Sequence, residues 1–157
     1  MNEIIKGDAL QEIKTFEDKS VDCVITSPPY WQLRDYGWTG QWGLEKTYQE
    51  YLEHLWSLMD EIYRVLKDTG TVFINLGDSY GTVSGAMRDG KPGRANKKTK
   101  APETLHFTQV AGIHKCLNLI PHRFAIGCID RGWVLRNDII WSKRNGMPES
   151  VRDRFSK

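Results

Sequence analysis

Apolar residues along the chain form short runs rich in β-branched residues and other segments with helical spacing. The short runs predict four strands, at residues 3–6, 21–26, 71–76 and 133–142. The helical spacing predicts three helices, at residues 9–16, 47–66 and 119–130. Strands and helices therefore alternate, and three of the strands are apolar enough for burial on both faces. This pattern predicts an α/β fold with a Rossmann-like, mostly parallel sheet and flanking helices.

The second predicted helix has the clearest boundaries. Thr47 and Glu50 have the spacing of a capping box, and Gly70 ends the segment. The apolar and aromatic positions between them fall at helical spacing: Tyr48, Tyr51, Leu52, Leu55, Met59, Ile62 and Leu66. We expect a long amphipathic helix here.

Polar or aromatic residues follow each predicted strand, at residues 7–8, 27–30, 77–79 and 142–145. Ligands of parallel α/β sheets bind beyond the carboxyl ends of the strands. The four strand ends therefore predict one site at this rim of the sheet.

Charge is unevenly distributed, although the net charge of +2 alone predicts no polyanionic partner. The segment RDGKPGRANKKTK, residues 88–100, holds six of the 22 basic residues and one of the 20 acidic ones, so the remainder is slightly acidic. The chain of 157 residues suits a single domain. We expect a basic insertion at residues 85–104 that is mobile on its own.

Cysteine usage and hydropathy bear on the cellular compartment. The three cysteines form no CxxC pair and no secretory leader is visible, which predicts reduced thiols in a cytoplasmic protein. No apolar run approaches the ~18 residues of a membrane span. The histidines have no spacing that suggests a metal site. We therefore expect neither a membrane nor a metal partner.

The segment TSPPYW, residues 26–31, carries the most specific chemistry. Pro28 and Pro29 lack N–H groups, so this turn offers carbonyls without donors, beside the Ser27 hydroxyl and the Tyr30 ring. Such an edge suits an exocyclic amine on a flat ring. Acceptors that bind both N–H groups draw the nitrogen toward tetrahedral geometry, which frees its lone pair to attack a methyl group. A nucleobase in a duplex would have to be flipped out to reach this edge.

This segment resembles the Asp/Asn/Ser-Pro-Pro-Tyr/Phe/Trp motif of S-adenosylmethionine-dependent amino-methyltransferases. GDAL before it, NLGDSY at a later strand end and the segment from LIPHRF to VRDR resemble the β group of DNA amino-methyltransferases. Matching segments cover most of residues 4–154, the basic segment excepted. The resemblance implies a circularly permuted methyltransferase fold, S-adenosylmethionine as cofactor and double-stranded DNA as partner.

By position, the resemblance implies that Asp8 lies near the adenine of the cofactor, and Thr26 is assigned with it to cofactor binding. Capping of the following helix is an equal alternative for Asp8. The motif that holds and stacks the target base corresponds to Ser27, Pro28, Pro29 and Tyr30.

The resemblance also implies a target-base pocket lined by Trp141, Lys143 and Asn145, and Trp31 is assigned to the same pocket. Burial in the core is an equal alternative for Trp141. Contact with the DNA backbone is expected from the basic residues Arg88, Lys91, Arg94, Lys97, Lys98, Lys100, Arg152 and Arg154.

The β group continues into a target-recognition segment and a glycine-rich cofactor motif, and residues 1–157 contain neither. Three interpretations stay open. The chain is part of a longer enzyme, it is one chain of a split enzyme completed by a second polypeptide, or it is a non-catalytic remnant.

The function expected from the resemblance is cytosine-N4 methylation of DNA, of the kind found in restriction-modification systems. Ser27 is the form more often seen in cytosine-N4 enzymes, and adenine-N6 methylation is the alternative. Two other classes remain, a non-catalytic DNA-binding fragment and a protein-glutamine methyltransferase. The late segment WSKRNGMPES argues against the second of these.

Overall fold

A computed structural model describes residues 2–81 and 115–144. The helices and strands in this part occur in the order α1 (Ala9–Ile13), β1 (Val21–Thr26), α2 (Tyr48–Val65), β2 (Leu66–Ile74) and α3 (Ile120–Asp130). The two strands pair in parallel and α2 connects them. The predicted α/β class is therefore confirmed, with a sheet that is incomplete in the described part of the chain.

Helix α2 begins as predicted, at a capping box. The Glu50 N–H donates to Thr47 Oγ1 at 3.2 Å, and the Thr47 N–H donates to Glu50 Oε2 at 3.2 Å. Because each residue satisfies a free N–H group of the other, the first turn is fixed locally. The buried face of the helix consists of Tyr51, Leu52, Leu55, Met59, Ile62 and Val65.

Strand β2 begins earlier than predicted, at Leu66 instead of residue 71. Leu66 already has extended backbone angles, and it pairs with Val21. The register then jumps to Cys23 opposite Thr71 and continues evenly to Thr26 opposite Ile74. The prediction that Gly70 ends the helical segment is therefore wrong: α2 ends at Val65, and Gly70 lies inside the irregular stretch of β2.

Two predicted strands, at residues 3–6 and 133–142, are wrong for the structure as described: both segments are irregular. Most of their apolar side chains are exposed, with Ile4 97% and Ile140 82% accessible, although Trp133 packs against the core. An extended segment needs hydrogen bonds from a neighbouring strand, and within residues 2–81 and 115–144 β1 and β2 pair only with each other. The first helix is also shorter than predicted and ends at Ile13.

The two faces of the sheet differ in burial. Val24 and Val72 point to the face that packs on the helices. On the opposite face, Ile25 is 79% and Phe73 is 51% exposed. The core therefore lies on one side of the sheet, where side chains from α2 and α3 meet. Its buried members are Trp31, Tyr51, Leu52, Leu55, Met59, Ile62, Ile120, Phe124 and Cys128.

Helix α3 packs closely on α2, as the contact between Gly127 and Trp56 shows. A methyl group on Gly127 would overlap the Trp56 indole, and Trp56 Nε1 donates to the Phe124 carbonyl at 3.2 Å. No helix in the described part of the chain has the length and apolar character needed to cross a membrane. The same residues contain no group of three or more potential metal ligands.

Candidate functional site

The SPPY turn (residues 27–30) directly follows β1, at the carboxyl end of the strand. Ser27 is exposed and Pro28 is buried. An open cavity of about 310 Å³ lies beside the turn, lined by Ser27, Pro28, Pro29, Tyr30, Leu33, Arg34 and Tyr36. The structure thus brings the four motif residues to one cavity, at the rim of the sheet where the strand pattern predicts a site.

The acceptors of the SPPY turn are not equivalent. The Pro29 carbonyl accepts a hydrogen bond of 2.8 Å from the Tyr51 hydroxyl. The Ser27 hydroxyl has no hydrogen-bond partner among the described residues. Since Tyr51 already engages Pro29, the acceptors best suited to a new donor are Ser27 Oγ and the Pro28 carbonyl.

Tyr51 is fully buried, which fixes its role as a donor. Burial raises the pKa of its hydroxyl above the ordinary value of 10.0, and Glu45 and Tyr30 add to the effect. The hydroxyl therefore keeps its proton at neutral pH and holds the Pro29 carbonyl from the core side.

The Tyr30 ring is fixed by the end of β2. Its hydroxyl donates to Asn75 Oδ1 at 3.0 Å, and the ring lies against Gly77. A Cβ atom on Gly77 would come within 2.5 Å of Tyr30 Cδ2, so only glycine leaves room for the ring in this position. Tyr30 is half-buried, and part of the ring remains accessible.

Gly43 supports the turn from the other side. Its φ is +92°, and a Cβ atom there would lie 3.0 Å from the Tyr30 carbonyl oxygen. The Gln32 N–H donates to the Gly43 carbonyl at 2.6 Å, which closes the aromatic loop (residues 31–43) onto the turn. Glycine is therefore required here both for the left-handed backbone and for the close approach.

A second open cavity, of about 440 Å³, lies next to the first and shares Pro29 and Tyr36 with it. Its remaining lining residues are Gly7, Asp8, Ala9, Trp38, Thr39, Gly40, Gln41 and Trp42. Asp8 also caps α1, where its Oδ1 accepts from the Gln11 N–H at 3.0 Å. The structure therefore gives Asp8 the capping role and places it at a cavity as well. Thr26 lines neither of these two cavities, and its carbonyl accepts from the Asn75 N–H.

None of the described residues assigned to the target-base pocket lines either cavity. Trp31 is 3% exposed in the core, and its Nε1 donates to the Glu45 carbonyl at 3.1 Å. The structure corrects its placement from pocket wall to core, because that indole is already packed and bonded. Trp141 is 74% exposed, so it is not a core residue, and neither Trp141 nor Lys143 lines the two cavities.

Several predicted DNA-contacting residues lie outside the described part of the chain, and so does one residue of the predicted base pocket. They are Arg88, Lys91, Arg94, Lys97, Lys98, Lys100, Arg152 and Arg154, together with Asn145. The structure does describe Tyr80 and Leu117, on either side of residues 82–114, and these two residues form an antiparallel bridge.

Sequence reasoning assigned no role at the site to Tyr51 or Asn75, and it placed Gly77 only among the residues expected at the rim of the sheet. Tyr51 falls in the apolar pattern of α2, where an aromatic residue is read as core. Asn75 and Gly77 end a strand, where polar residues and glycines are common. For Asn75 and Gly77, the only available signal was their position at the carboxyl end of the strand that neighbours β1.

Comparison with known proteins gives the family to which the chain belongs. The family model described as DNA methylase, N6_N4_Mtase, matches residues 21–157. The chain therefore belongs to the DNA methylase family, which confirms the resemblance drawn from its motifs.

Among individual proteins, the chain is 44% identical over 151 residues to the type II methyltransferase M.XycI of Xanthomonas campestris pv. cyanopsidis, covering 96% of this chain and 49% of that protein. It is 43% identical over 155 residues to M.SmaI of Serratia marcescens, covering 96% and 51%. The chain thus spans about half the length of the curated relatives it matches. A solved structure, the PvuII DNA methyltransferase (cytosine-N4-specific), aligns with 21% identity and a TM-score of 0.47, covering 79% of this chain and 32% of that one.

Proposed function

We propose that the protein methylates the exocyclic amine of a DNA base that is flipped out of the duplex, with S-adenosylmethionine as donor and N4 of cytosine as target. The observation that carries this proposal is the SPPY turn, which presents acceptors and an aromatic ring at one open cavity. Membership of the DNA methylase family supports the reaction class.

The acceptor pattern of the turn fits an amine with two N–H groups. Ser27 Oγ and the Pro28 carbonyl accept one N–H each, and Pro28 and Pro29 contribute no competing backbone donor. The lone pair of the amine is then directed away from the ring and toward the methyl group. Placement and polarisation of the amine supply the catalysis, so no side chain needs to act as a nucleophile.

Tyr30 is the stacking surface in this proposal. A flipped base has lost its stacking neighbours, and stacking on an aromatic side chain contributes about 1–3 kcal/mol per base. Because the ring is held by Asn75 and Gly77, it offers the base a fixed plane beside the acceptors. Arg34 lines the same cavity and supplies a positive charge near the DNA backbone.

The second cavity is the proposed cofactor site. When bound, S-adenosylmethionine supplies an electrophilic methyl group. The cavity of about 440 Å³ falls in the usual range for small-ligand sites, and its lining combines the Asp8 carboxylate with the Trp38 and Trp42 rings. This set fits an adenosine, which needs a flat apolar contact and acceptors for its hydroxyl or amino groups.

Contact with duplex DNA is proposed for the basic segment at residues 88–100 and for Arg152 and Arg154. Their charge suits phosphates, which give affinity without sequence information. Binding should therefore weaken steeply as salt concentration rises. Any sequence recognition would come from elsewhere in the whole protein, or from a second chain that completes it.

The test is methyl transfer from labelled S-adenosylmethionine to mixed-sequence duplex DNA, followed by nucleoside mass spectrometry. The expected product is N4-methylcytosine. Detection of N6-methyladenine instead would show that adenine is the target base. The assay should use the protein at its native length. Salt-sensitive DNA binding with neither product would show a DNA-binding protein and contradict the proposal.

Two variants link the product to the turn. Ser27→Ala and Tyr30→Ala should abolish transfer while the far-ultraviolet circular dichroism spectrum stays unchanged. Ser57→Ala is the matched control for the serine, because Ser57 is exposed on α2 and donates to the Glu53 carbonyl within its own helix. Retained turnover in Ser27→Ala would remove that residue from the site.

A further inference from the structure

We infer that Asn75 is a positioning residue that holds the Tyr30 ring in the orientation needed for base stacking. This inference rests on the proposed function, since it assumes that Tyr30 stacks the target base. Its first observation is the hydrogen bond of 3.0 Å from the Tyr30 hydroxyl to Asn75 Oδ1, which joins residues 45 positions apart.

Asn75 is itself held at the correct place by the sheet. It directly follows Ile74, the last residue of β2, and its N–H donates to the Thr26 carbonyl at 3.0 Å. Thr26 in turn directly precedes the SPPY turn. The backbone of Asn75 is therefore tied to the start of the turn, and its side chain is tied to the end of the turn.

A second observation is that the ring has a fixed neighbour just beyond the end of β2. Gly77 lies two residues beyond Asn75, and the Tyr30 ring fills the space that a Cβ atom there would take. The hydroxyl bond restrains the tip of the ring and Gly77 restrains its side. Together they limit the rotation that a free tyrosine side chain would have.

The hydroxyl has no other evident use at this position. Stacking needs only an aromatic face, and the motif that this turn resembles also accepts phenylalanine and tryptophan. A tyrosine bonded to Asn75 is therefore best explained by anchoring. A displacement of about 1 Å in an active site can reduce turnover by roughly 100-fold, so even partial release of the ring should be measurable.

The experiment is a double-mutant cycle on methyl transfer with Tyr30→Phe and Asn75→Leu, using the protein at its native length and duplex DNA. Asn75→Leu keeps the approximate size of the side chain but removes the acceptor. We expect each single variant to lower kcat by about 10-fold to 100-fold, with KM for S-adenosylmethionine unchanged. The double variant should be no worse than either single one, because both remove the same bond.

Two further variants separate positioning from stability. Asn75→Asp retains an acceptor oxygen and should restore most of the turnover lost in Asn75→Leu. Tyr63→Phe removes an exposed hydroxyl on the far part of α2 and should leave kcat unchanged. Circular dichroism and thermal unfolding report whether each variant is folded. If Asn75→Leu does not fold, the comparison of Tyr30→Phe with Asn75→Asp still tests the anchor.

The outcomes distinguish this inference from the proposed function. If the wild-type protein turns over and Tyr30→Phe or Asn75→Leu keeps full activity, the positioning role of Asn75 is overturned and the methyltransferase proposal stays intact. Additive losses in the double variant would also overturn it, since the two residues would then act separately. No methyl transfer by the wild-type protein would overturn the proposed function first, and the anchor with it.

Discussion

The Tyr51 hydroxyl, at the start of α2, donates a hydrogen bond of 2.8 Å to the main-chain carbonyl of Pro29. This bond joins the helix that forms most of the core to the turn at the candidate site. It also engages one of the turn's carbonyls, that of Pro29, from the core side. The core thereby determines which acceptors the turn presents.

Tyr51→Phe should destabilise the protein by about 1–3 kcal/mol, because it leaves the Pro29 carbonyl without its buried donor. Burial raises the pKa of Tyr51 above 10.0. The bond therefore stabilises the fold fully below pH 10 and loses its effect as pH rises above that value. Denaturant unfolding from pH 7 to pH 11 should show the difference between wild type and variant shrinking above pH 10.

The control for this change is Tyr63→Phe, which removes an exposed hydroxyl from the same helix. Its unfolding free energy should stay within about 0.5 kcal/mol of wild type. Equal stability of Tyr51→Phe and wild type at pH 7 would show that the Pro29 carbonyl needs no donor from the core.

Gly127→Ala should destabilise the packing of α3 on α2. Alanine is ordinarily the better helix residue, by about 1 kcal/mol. Here, however, its methyl group would overlap the Trp56 ring, and overpacking costs about 1–3 kcal/mol. We expect a net loss of stability in thermal unfolding. In a Trp56→Leu background, Gly127→Ala should instead increase stability, because the smaller side chain opens the space that the methyl group needs. A stabilising effect of Gly127→Ala alone would contradict this close approach.

Cys128 should resist alkylation in the folded protein. Burial raises the pKa of its thiol from 9.0 to about 12, with Asp60 adding to the rise and Arg131 opposing it. The thiolate is the reactive form, so iodoacetamide at pH 8 should modify the exposed Cys116 and leave Cys128 intact. Peptide mass spectrometry measures both sites, and denaturant should make Cys128 reactive. Equal labelling of both cysteines in the native state would contradict the burial of α3.

The elements that the sequence predicted correctly are those defined by local chemistry. The capping box of Thr47 and Glu50 and the apolar face that follows lie in one segment of fewer than 20 residues, and α2 forms there. The strand before Ser27 is likewise a short run rich in apolar residues, although the structure leaves one face of it exposed, with Ile25 79% accessible. A helix or strand of this kind needs no knowledge of distant residues, only of its own pattern.

The predictions that were wrong depend on partners elsewhere in the chain. Residues 133–142 have strand-like composition, yet they are irregular because an edge must supply hydrogen bonds. Trp31 was assigned to the base pocket, but its indole is buried in the core and donates to the Glu45 carbonyl. Asn75 is recognisable only once β1 and β2 are paired, since 45 residues separate it from Tyr30. Composition and spacing do not encode such pairings.

Asp78→Ala should weaken helix α3, although 41 residues separate Asp78 from the N-cap at Leu119. The Asp78 carboxylate accepts from the Leu119 N–H at 2.9 Å and from the Ile120 N–H at 3.1 Å. Leu119 itself has φ of +56° and provides no side-chain cap. Loss of a cap costs about 0.5–2 kcal/mol, and a carboxylate at a helix N-terminus adds about 0.3–1 kcal/mol.

We expect thermal unfolding to show that loss for Asp78→Ala and a smaller one for Asp78→Asn, which keeps one acceptor oxygen. Asp68→Ala is the matched control, because its carboxylate pairs with Lys19 on the surface and such exposed pairs contribute little to stability. Hydrogen exchange should localise the effect to the first turn of α3. Since Asp78 follows Gly77 directly, the same cap ties α3 to the strand end that holds Tyr30. Unchanged protection of that turn in Asp78→Ala would mean that α3 is held by its packing on α2 alone.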